Sequence, residues 1–482
     1  MKRKLAFALF CYMAGGGLYL LWGIKLRALV LQAVIALVFL FVFLPHGRTY
    51  YITAMVFFCF GITAFVLYAA GAEAVQRCED RWVYVEGRVE PAIGEEYFLL
   101  DVDSLLLDDI NTGYRGKLMV YPGGNIGGIT VGCGVVAEGQ IKLPADDGYR
   151  NYCRGLGAEA LLYSTPYHIR FTGVKPYSIK RYSWRAALWV KRQLDSGVIP
   201  QRHSEIMKGL LLGGREVSID TRERFSAVGI SHLLAVSGLH VGIISAVLVW
   251  ALKRLGLPGR ERFLTVCGLL TFFSFMVGLT PSVVRAAIMM GVVMLAAAVD
   301  RKTDMLTSLL FTAFLLIAFQ PHIIYSISFQ LSFMACLGIV LFYPVFRRGF
   351  GFAGRHISGA VSVTLSSQVL ILPLLIHYFG SFAPVAVLAN ILAVPLAGVV
   401  LWLTVVFLVL YPLHIPLYYT IVWVNGIIIE IINYIIDRAG AIPFGSIQVE
   451  NAGRGFYFAY YIVAVSVLLL LYYNNYERGA AI

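Results

Sequence analysis

The feature that most constrains this chain is a succession of apolar runs of membrane-crossing length. Three open the sequence, at about 5–23, 28–44 and 50–71. Nine more follow, at about 228–252, 263–279, 282–299, 305–319, 322–342, 359–379, 384–411, 414–436 and 455–473. A helix of roughly 20 apolar residues crosses the hydrocarbon core of a bilayer, and its backbone satisfies its own hydrogen bonds there. The expected fold is therefore a polytopic α-helical membrane protein with about 12 membrane helices, give or take one or two because the run at 305–319 is short. With 59% hydrophobic and 14% charged residues, the composition excludes an ordinary soluble protein. Met1-Lys2-Arg3-Lys4 precedes the first run without a small-residue cleavage site, so that run reads as a retained span.

Between the two groups of runs the texture changes. Residues 74–176 alternate apolar and polar positions at 81–89, 96–102, 116–121 and 133–141, separated by turn clusters such as "YPGGNIGG". That is the pattern of strands and turns. A short helical stretch near 148–156 and extended pieces near 159–163 and 167–173 complete the count for a small β-barrel of the OB-fold type. Residues 177–227 mix Trp184, Leu188 and Trp189 with Lys180, Arg181, Arg185, Lys191 and Arg192. Such a segment either lies in the membrane interface or packs as a helix on the soluble domain. Four parts result: 1–73 with three spans, 74–176 as the β-domain, 177–227 as the basic segment, and 228–482 as the main helical bundle.

Charge distinguishes the two sides of the membrane. The net charge of +12 has two readings, cytoplasmic-loop enrichment in Lys and Arg or a footprint for nucleic acid. In alternate short loops of the bundle, one set holds ten Lys and Arg and the other only Arg438 and Arg454. The basic set, which includes 253–262, should face the cytoplasm, as should the N-terminus. The β-domain is then extracytoplasmic, although Lys25 and Arg27 in the first hairpin argue weakly the other way. Residues 74–176 carry a net charge of −4 and residues 177–227 a net charge of +5. If a polyanion is engaged outside the membrane, contacts to its backbone are expected from Lys191, Arg192, Arg222 and Arg224 rather than from the β-domain.

Polar residues inside the apolar runs are costly and tend to face a bundle interior or a water-filled path. They are Ser237, Gly238, His240 and Gly242 in "SHLLAVSGLHVGII", Arg285, Gln330 with Ser332, Gln368, Asn390 and Glu430. Ser237 and His240, three apart, would be neighbours on a helix over 228–252, and Gly238 with Gly242 would permit a close helix crossing. His240 fits either a satisfied core hydrogen-bonder or a functional group. A Ser237–His240 hydrolase pair is disfavoured, because the elbow pattern G-x-S-x-G is absent and no carboxylate is placed to orient the base. Pro281, Pro373, Pro384 and Pro395 imply broken or kinked helices. Seven cysteines show no zinc-ligand spacing, and export of the β-domain would permit a Cys133–Cys153 disulfide. No metal and no cofactor is expected.

The strings "LLLGGREVSIDTRERFSAVGISHLLAVSGLHVGII", "TPSVVRAAIMMGVVMLAAAVDRKTD", "PHIIYSISFQLSFMACLGIV" and "SSQVLILPLLIHYFGSFAPVAVLANILAVPLA" together resemble the ComEC competence family. "DDGYRNYCRGLGAEALLY" looks like the end of that family's OB-like exported domain. The resemblance implies an inner-membrane channel that passes one strand of incoming DNA into the cytoplasm during natural transformation. The implied partners are single-stranded DNA, membrane lipids, and separate DNA-receptor, nuclease and motor proteins. Many members carry a C-terminal metallo-β-lactamase-like domain. With nine histidines and no HxHxDH string, this chain is expected to be a form without it and not an enzyme. The alternative is a transporter or flippase for a small or lipidic substrate with an extracytoplasmic sensor domain.

Overall fold

Alternating side chains sort the strands of the polar insert. In the computed structural model, which describes residues 61, 68, 71–93, 97–124, 130–174, 178–298, 302–351, 354–443, 445–449 and 453–477, the insert forms β1 (Trp82–Ile93), β2 (Phe98–Leu107), β3 (Ile110–Asn111), β4 (Lys117–Tyr121), β5 (Cys133–Lys142), α1 (Asp147–Gly155) and β6 (Ala158–Val174). The expected spans at 5–23 and 28–44, and nearly all of that at 50–71, lie outside the described residues.

The strands form one sheet in the order β1-β5-β6-β4-β2-β3, and β1 also pairs with β2. All pairings are antiparallel except β4 with β6, where Val120 faces Leu162. Inward side chains of β5, from Cys133 through Val135 and Ala137 to Ile141, alternate with outward ones. They meet Val83, Val85, Leu100, Leu105, Leu118 and Leu162 in one core. Gly87 and Gly139 each mark a register break, and a Cβ on either would collide with a carbonyl of the neighbouring strand. Glycine there lets the strands bend sharply.

Helix α1 covers the other face of the sheet, enclosing Leu99, Met119, Cys153, Ala158 and Leu161. Asp146 caps it, accepting from the Tyr149 N–H at 2.8 Å. The disulfide that export would allow is not formed. Cys133 and Cys153 are free buried thiols in the two separate cores on opposite faces of the sheet. The same unit, within Met1–Trp184 and Thr303–Gln330, includes a distant piece of chain. A Cβ on Gly155 would lie 3.0 Å from Ser326 Cα, and one on Gly157 would lie 2.7 Å from the His322 ring. The motif "RGLG" is thus a flat docking face for the helical turn Pro321–Tyr325, with Arg154 over the Tyr325 ring.

The remaining chain is helical: α2 (Ile179–Leu194), α3 (Gln201–Leu212), α4 (Ile219–Ala227), α5 (Gly238–Arg254), α6 (Gly259–Met276), α7 (Pro281–Ala298), α8 (Met305–Phe319), α9 (Ile327–Gly349), α10 (Arg355–Phe379), α11 (Ala386–Leu410), α12 (Leu417–Gly440) and α13 (Arg454–Glu477). Two short strands, β7 (Ser381–Phe382) and β8 (Ile447–Gln448), pair antiparallel. Five segments are long and apolar enough to cross a membrane: Ser231–Arg254, Ile327–Gly349, Ile357–Phe379, Ala386–Leu410 and Leu417–Gly440. Shorter apolar helices occur at Pro281–Ala297, Met305–Phe319 and Gly455–Leu470. The chain is a membrane protein with a sheet domain near its N-terminal end.

A second unit lies within Arg185–Lys302 and Leu331–Ile482. Its core joins Val190 and Leu194 of α2, Leu210 of α3 and Phe225 of α4 to Val241, Leu270, Val283, Val400, Phe407 and Ile429. The segment expected to be one basic strip is therefore three helices with buried apolar faces. On α11, Ala386, Ala389, Ala393 and Ala397 are all buried, a small-residue stripe that permits close helix approach.

Candidate functional site

The stretch "SGLH" is a helix start. The chain from Val228 to Ser237 does not continue as helix but makes a turn at Ser231–Leu233 and extends at Ser237, so the helix expected over 228–252 begins at Gly238. Ser237 is its N-cap. The Ser237 side chain accepts from the His240 N–H, while the Ser237 N–H donates to His240 Nδ1 at 3.0 Å. This reciprocal box normally uses Glu or Gln at the third helical position, and here an imidazole takes that place. Nδ1 thus accepts from the Ser237 N–H and also lies 3.0 Å from Ser237 Oγ. His240 is buried, at 2% exposure.

Against this helix end lies Arg285, in the second turn of α7 and 6% exposed. A Cβ on Gly238 would sit 3.0 Å from Arg285 Nη2 and 3.6 Å from Ala286 Cβ. Nη1 donates to the Ser332 carbonyl of α9 at 2.8 Å and contacts Cys336 Sγ, and the guanidinium lies over the Phe333 ring. Nε has no partner, and among the described residues no carboxylate lies within 4.0 Å of the guanidinium. A buried charge without a counter-ion is expensive. Removing an ion's water without replacing it costs several kcal/mol, so a group of this kind marks a site for water or an anion.

The other sequence candidates are dispersed. Gly242 faces open space, so only Gly238 makes the close approach expected of the pair. Gln330 donates to the Ile324 carbonyl at 2.8 Å, closing the turn before α9. Ser332 serves through its backbone oxygen. Gln368 is half-buried on α10. Asn390 is 7% exposed and its Oδ1 is unpartnered. Glu430 pairs with His203 of α3 at 2.8 Å.

Of the four cations expected to meet a polyanion, three already have internal partners. Lys191 binds Glu216 at 2.6 Å, Arg224 binds Asp437 at 2.6 Å, and Arg222 donates to the Val217 carbonyl at 2.8 Å. Arg192 alone of the four has neither an ion pair nor a side-chain hydrogen bond among the described residues. Nearby, burial pushes the Asp195 carboxyl up, but hydrogen bonds from Lys208 and Ser204 outweigh it and hold the group below its ordinary value.

Sequence reasoning missed a stripe on α10. Ser358, Ser362 and Ser366, four apart, are fully buried, and the Ser358 and Ser366 hydroxyls lack partners. A Cβ on Gly338 of α9 would collide with the Ser366 carbonyl. The four-residue spacing of small polar residues in "HISGAVSVTLSS" was the available signal. Asn425 of α12 and Thr404 of α11, both buried, were also missed.

A helical unit whose described residues include buried polar atoms without partners, together with a separate sheet unit, defines a polytopic membrane protein. Residues 210–473, more than half the chain, match the family model described as Competence protein. The chain belongs to the competence protein family and is of the ComEC type. It is 29% identical over 201 residues to ComE operon protein 3 of Bacillus subtilis (strain 168), covering 42% of this chain and 25% of that protein. It is 34% identical over 182 residues to an uncharacterized protein of Aquifex aeolicus (strain VF5), covering 38% of this chain and 41% of that one. The matched stretches thus span between a quarter and two fifths of these relatives. No solved structure matches.

Proposed function

We propose that this chain is the inner-membrane channel through which single-stranded DNA enters the cytoplasm during transformation. The observation that carries the reading is a set of buried polar atoms in the second unit, on Arg285 (Nε), Thr280, Ser358, Ser366, Asn390 and Asn425, that have no hydrogen-bond partner among the described residues. A dry core would incur a desolvation cost of about 1–3 kcal/mol at each. Water and a polar cargo remove that cost. Membership of the competence family supports DNA as the cargo.

The N-terminal sheet domain is, in this reading, a closed OB-like barrel. The pairings β1-β5-β6-β4-β2-β1 return to their starting strand, with β4 and β6 parallel, and support that assignment. The domain is extracytoplasmic and the N-terminus cytoplasmic. Two contacts support the alternation of loops. Gly157 of the domain meets His322, and β7 pairs with β8, so each contact joins segments assigned to the basic-poor side. Receptor, nuclease and motor activities reside in separate proteins, and Ser237 acts as a helix cap rather than a nucleophile.

The test is uptake of labelled DNA by a deletion strain and by the same strain complemented with this chain. Loss of internalised strand with surface-bound DNA retained, restored by the chain, is the expected result. Undiminished internalisation in the deletion strain, or a metabolite or lipid defect in its place, overturns the reading.

A further inference from the structure

We propose that the N-terminus of α5 and the Nε–Nη2 edge of Arg285 form a binding site for a phosphate oxyanion, occupied during transport by a phosphodiester of the passing strand. The occupant rests on the function proposed above; the oxyanion chemistry does not.

Three independent features converge on one spot. The first is the helix end itself. α5 is 17 residues long, and its first N–H groups have no intrahelical acceptors. The Ser237–His240 box uses the N–H of His240 and of Ser237, and it leaves those of Gly238 and Leu239 to an outside acceptor. The box also fixes the backbone at the point where those two donors emerge.

The second is the guanidinium. Nη1 is tied to α9 through the Ser332 carbonyl and Cys336, and the ring of Phe333 supports the plane from one side. That anchoring leaves the opposite edge, Nε–H with Nη2–H, which is the fork that matches two oxygens of a phosphate. Nε is buried and unpartnered, and Nη2 forms no hydrogen bond among the described residues. The side chain is more than nine-tenths buried, so bulk water does not stand in for the missing anion.

The third is the close approach of the two. Gly238 is the first residue of α5, and a methyl group there would lie 3.0 Å from Nη2. Any side chain would occupy the position that an oxygen shared by Nη2 and the helix donors requires. A tetrahedral oxyanion placed there meets the free donors of the helix end and the free edge of the guanidinium together. A helix N-terminus suits such a group without further machinery. A lipid headgroup and free phosphate share this chemistry, so the test separates them.

The full chain in an uncharged detergent is titrated into a fluorescein-labelled oligothymidylate, and affinity is followed by anisotropy over a range of salt. In parallel, melting of the chain is followed with inorganic phosphate against chloride at matched ionic strength, and with phosphatidylglycerol vesicles. Arg285→Gln should weaken oligonucleotide affinity about tenfold. It should also flatten the salt slope by ~0.7, the contribution of one phosphate contact on a single strand. Arg285→Lys, which keeps the charge but not the fork, should fall between.

Because Arg285 also ties α7 to α9, Gly238→Ala is the companion variant. It leaves Arg285 in place, improves helix propensity, and fills the cradle with a methyl group. Both variants should lose the stabilisation by phosphate. If wild type and both variants bind the oligonucleotide alike, the site is overturned while the channel reading stands. If wild type ignores DNA but is stabilised by phosphate, and the variants are not, the oxyanion site stands and the channel reading fails. If the variants lose only the effect of phosphatidylglycerol, the occupant is a lipid and the phosphodiester assignment is overturned. No stabilisation by any phosphate in wild type overturns the site outright.

Discussion

Glu159 offers a quantitative test of the sheet domain. It lies in β6 at 7% exposure, with the Tyr68 hydroxyl donating to Oε1 and Arg154 Nε 3.2 Å from Oε2. Burial pushes its carboxyl from the ordinary 4.5 up to about 7. The folded protein therefore holds this proton more tightly than the unfolded chain. Between those two values the folded state binds more protons, so stability falls as the pH rises through the window, and the loss is complete above about 7. A shift of that size corresponds to at most about 3 kcal/mol, and the Arg154 pair works against it. Glu159→Gln keeps the shape and the hydrogen-bond acceptor but never ionises. Melting of the full chain and the variant is compared between about pH 5 and about pH 8. Near the acid end the two should melt together, and near the alkaline end the variant should melt several degrees higher. Parallel curves would mean that Glu159 does not titrate in this range. A wild type that gains on the variant as pH rises would mean that Arg154 dominates and the carboxyl is held down, which refutes the argument.

Three further outcomes are expected. Gly338→Leu should abolish accumulation of the protein in the membrane, because its side chain meets the Ser366 carbonyl, whereas Gly242→Leu, in open space, should accumulate normally; immunoblotting of membranes decides this. A cysteine at Tyr167, 91% exposed, should react with an impermeant maleimide on intact cells and one at Arg260 should not; the reverse pattern would invert the topology. The native Cys78, Cys133 and Cys153 are buried and should stay silent in that experiment. His240→Ala should lower stability by about 1 kcal/mol through loss of the capping box, and His240→Gln should restore it. If Gln restores transformation as well as protein level, the imidazole has no role beyond the cap.

Legibility from sequence followed the range of the forces involved. Each apolar run after residue 227 holds one long helix, because the apolar pattern is set residue by residue along the run. The strands at 81–89, 96–102, 116–121 and 133–141 were recovered to within a few residues, apart from the far ends of β1 and β2, and the short helix near 148–156 is α1. The extended pieces near 159–163 and 167–173 proved to be a single strand running through Pro166. What periodicity cannot carry is partnership between distant segments. Nothing near Arg285 in the chain indicates that its guanidinium reaches Ser332 and the start of α5. Cys133 and Cys153 are close in sequence, yet a sheet separates them. The start of α5 was misread although its signal was local: Ser237 three residues before His240 has capping-box spacing, but apolar residues on both sides hid the break.

The docking of Gly155 and Gly157 on the turn at Ser326 and His322 has a consequence for biogenesis. The sheet domain emerges from the ribosome long before the segment that covers its glycine face. Some 165 residues separate Gly157 from His322, which at roughly 5–20 residues per second is a delay of about 10–30 s. During that interval α5, α6, α7 and α8 are synthesised while the domain waits with an open flank. Maturation of the domain is thus tied to the later arrival of a segment made after those helices. A chain that failed to deliver the turn would leave the domain incomplete, with its glycine face uncovered.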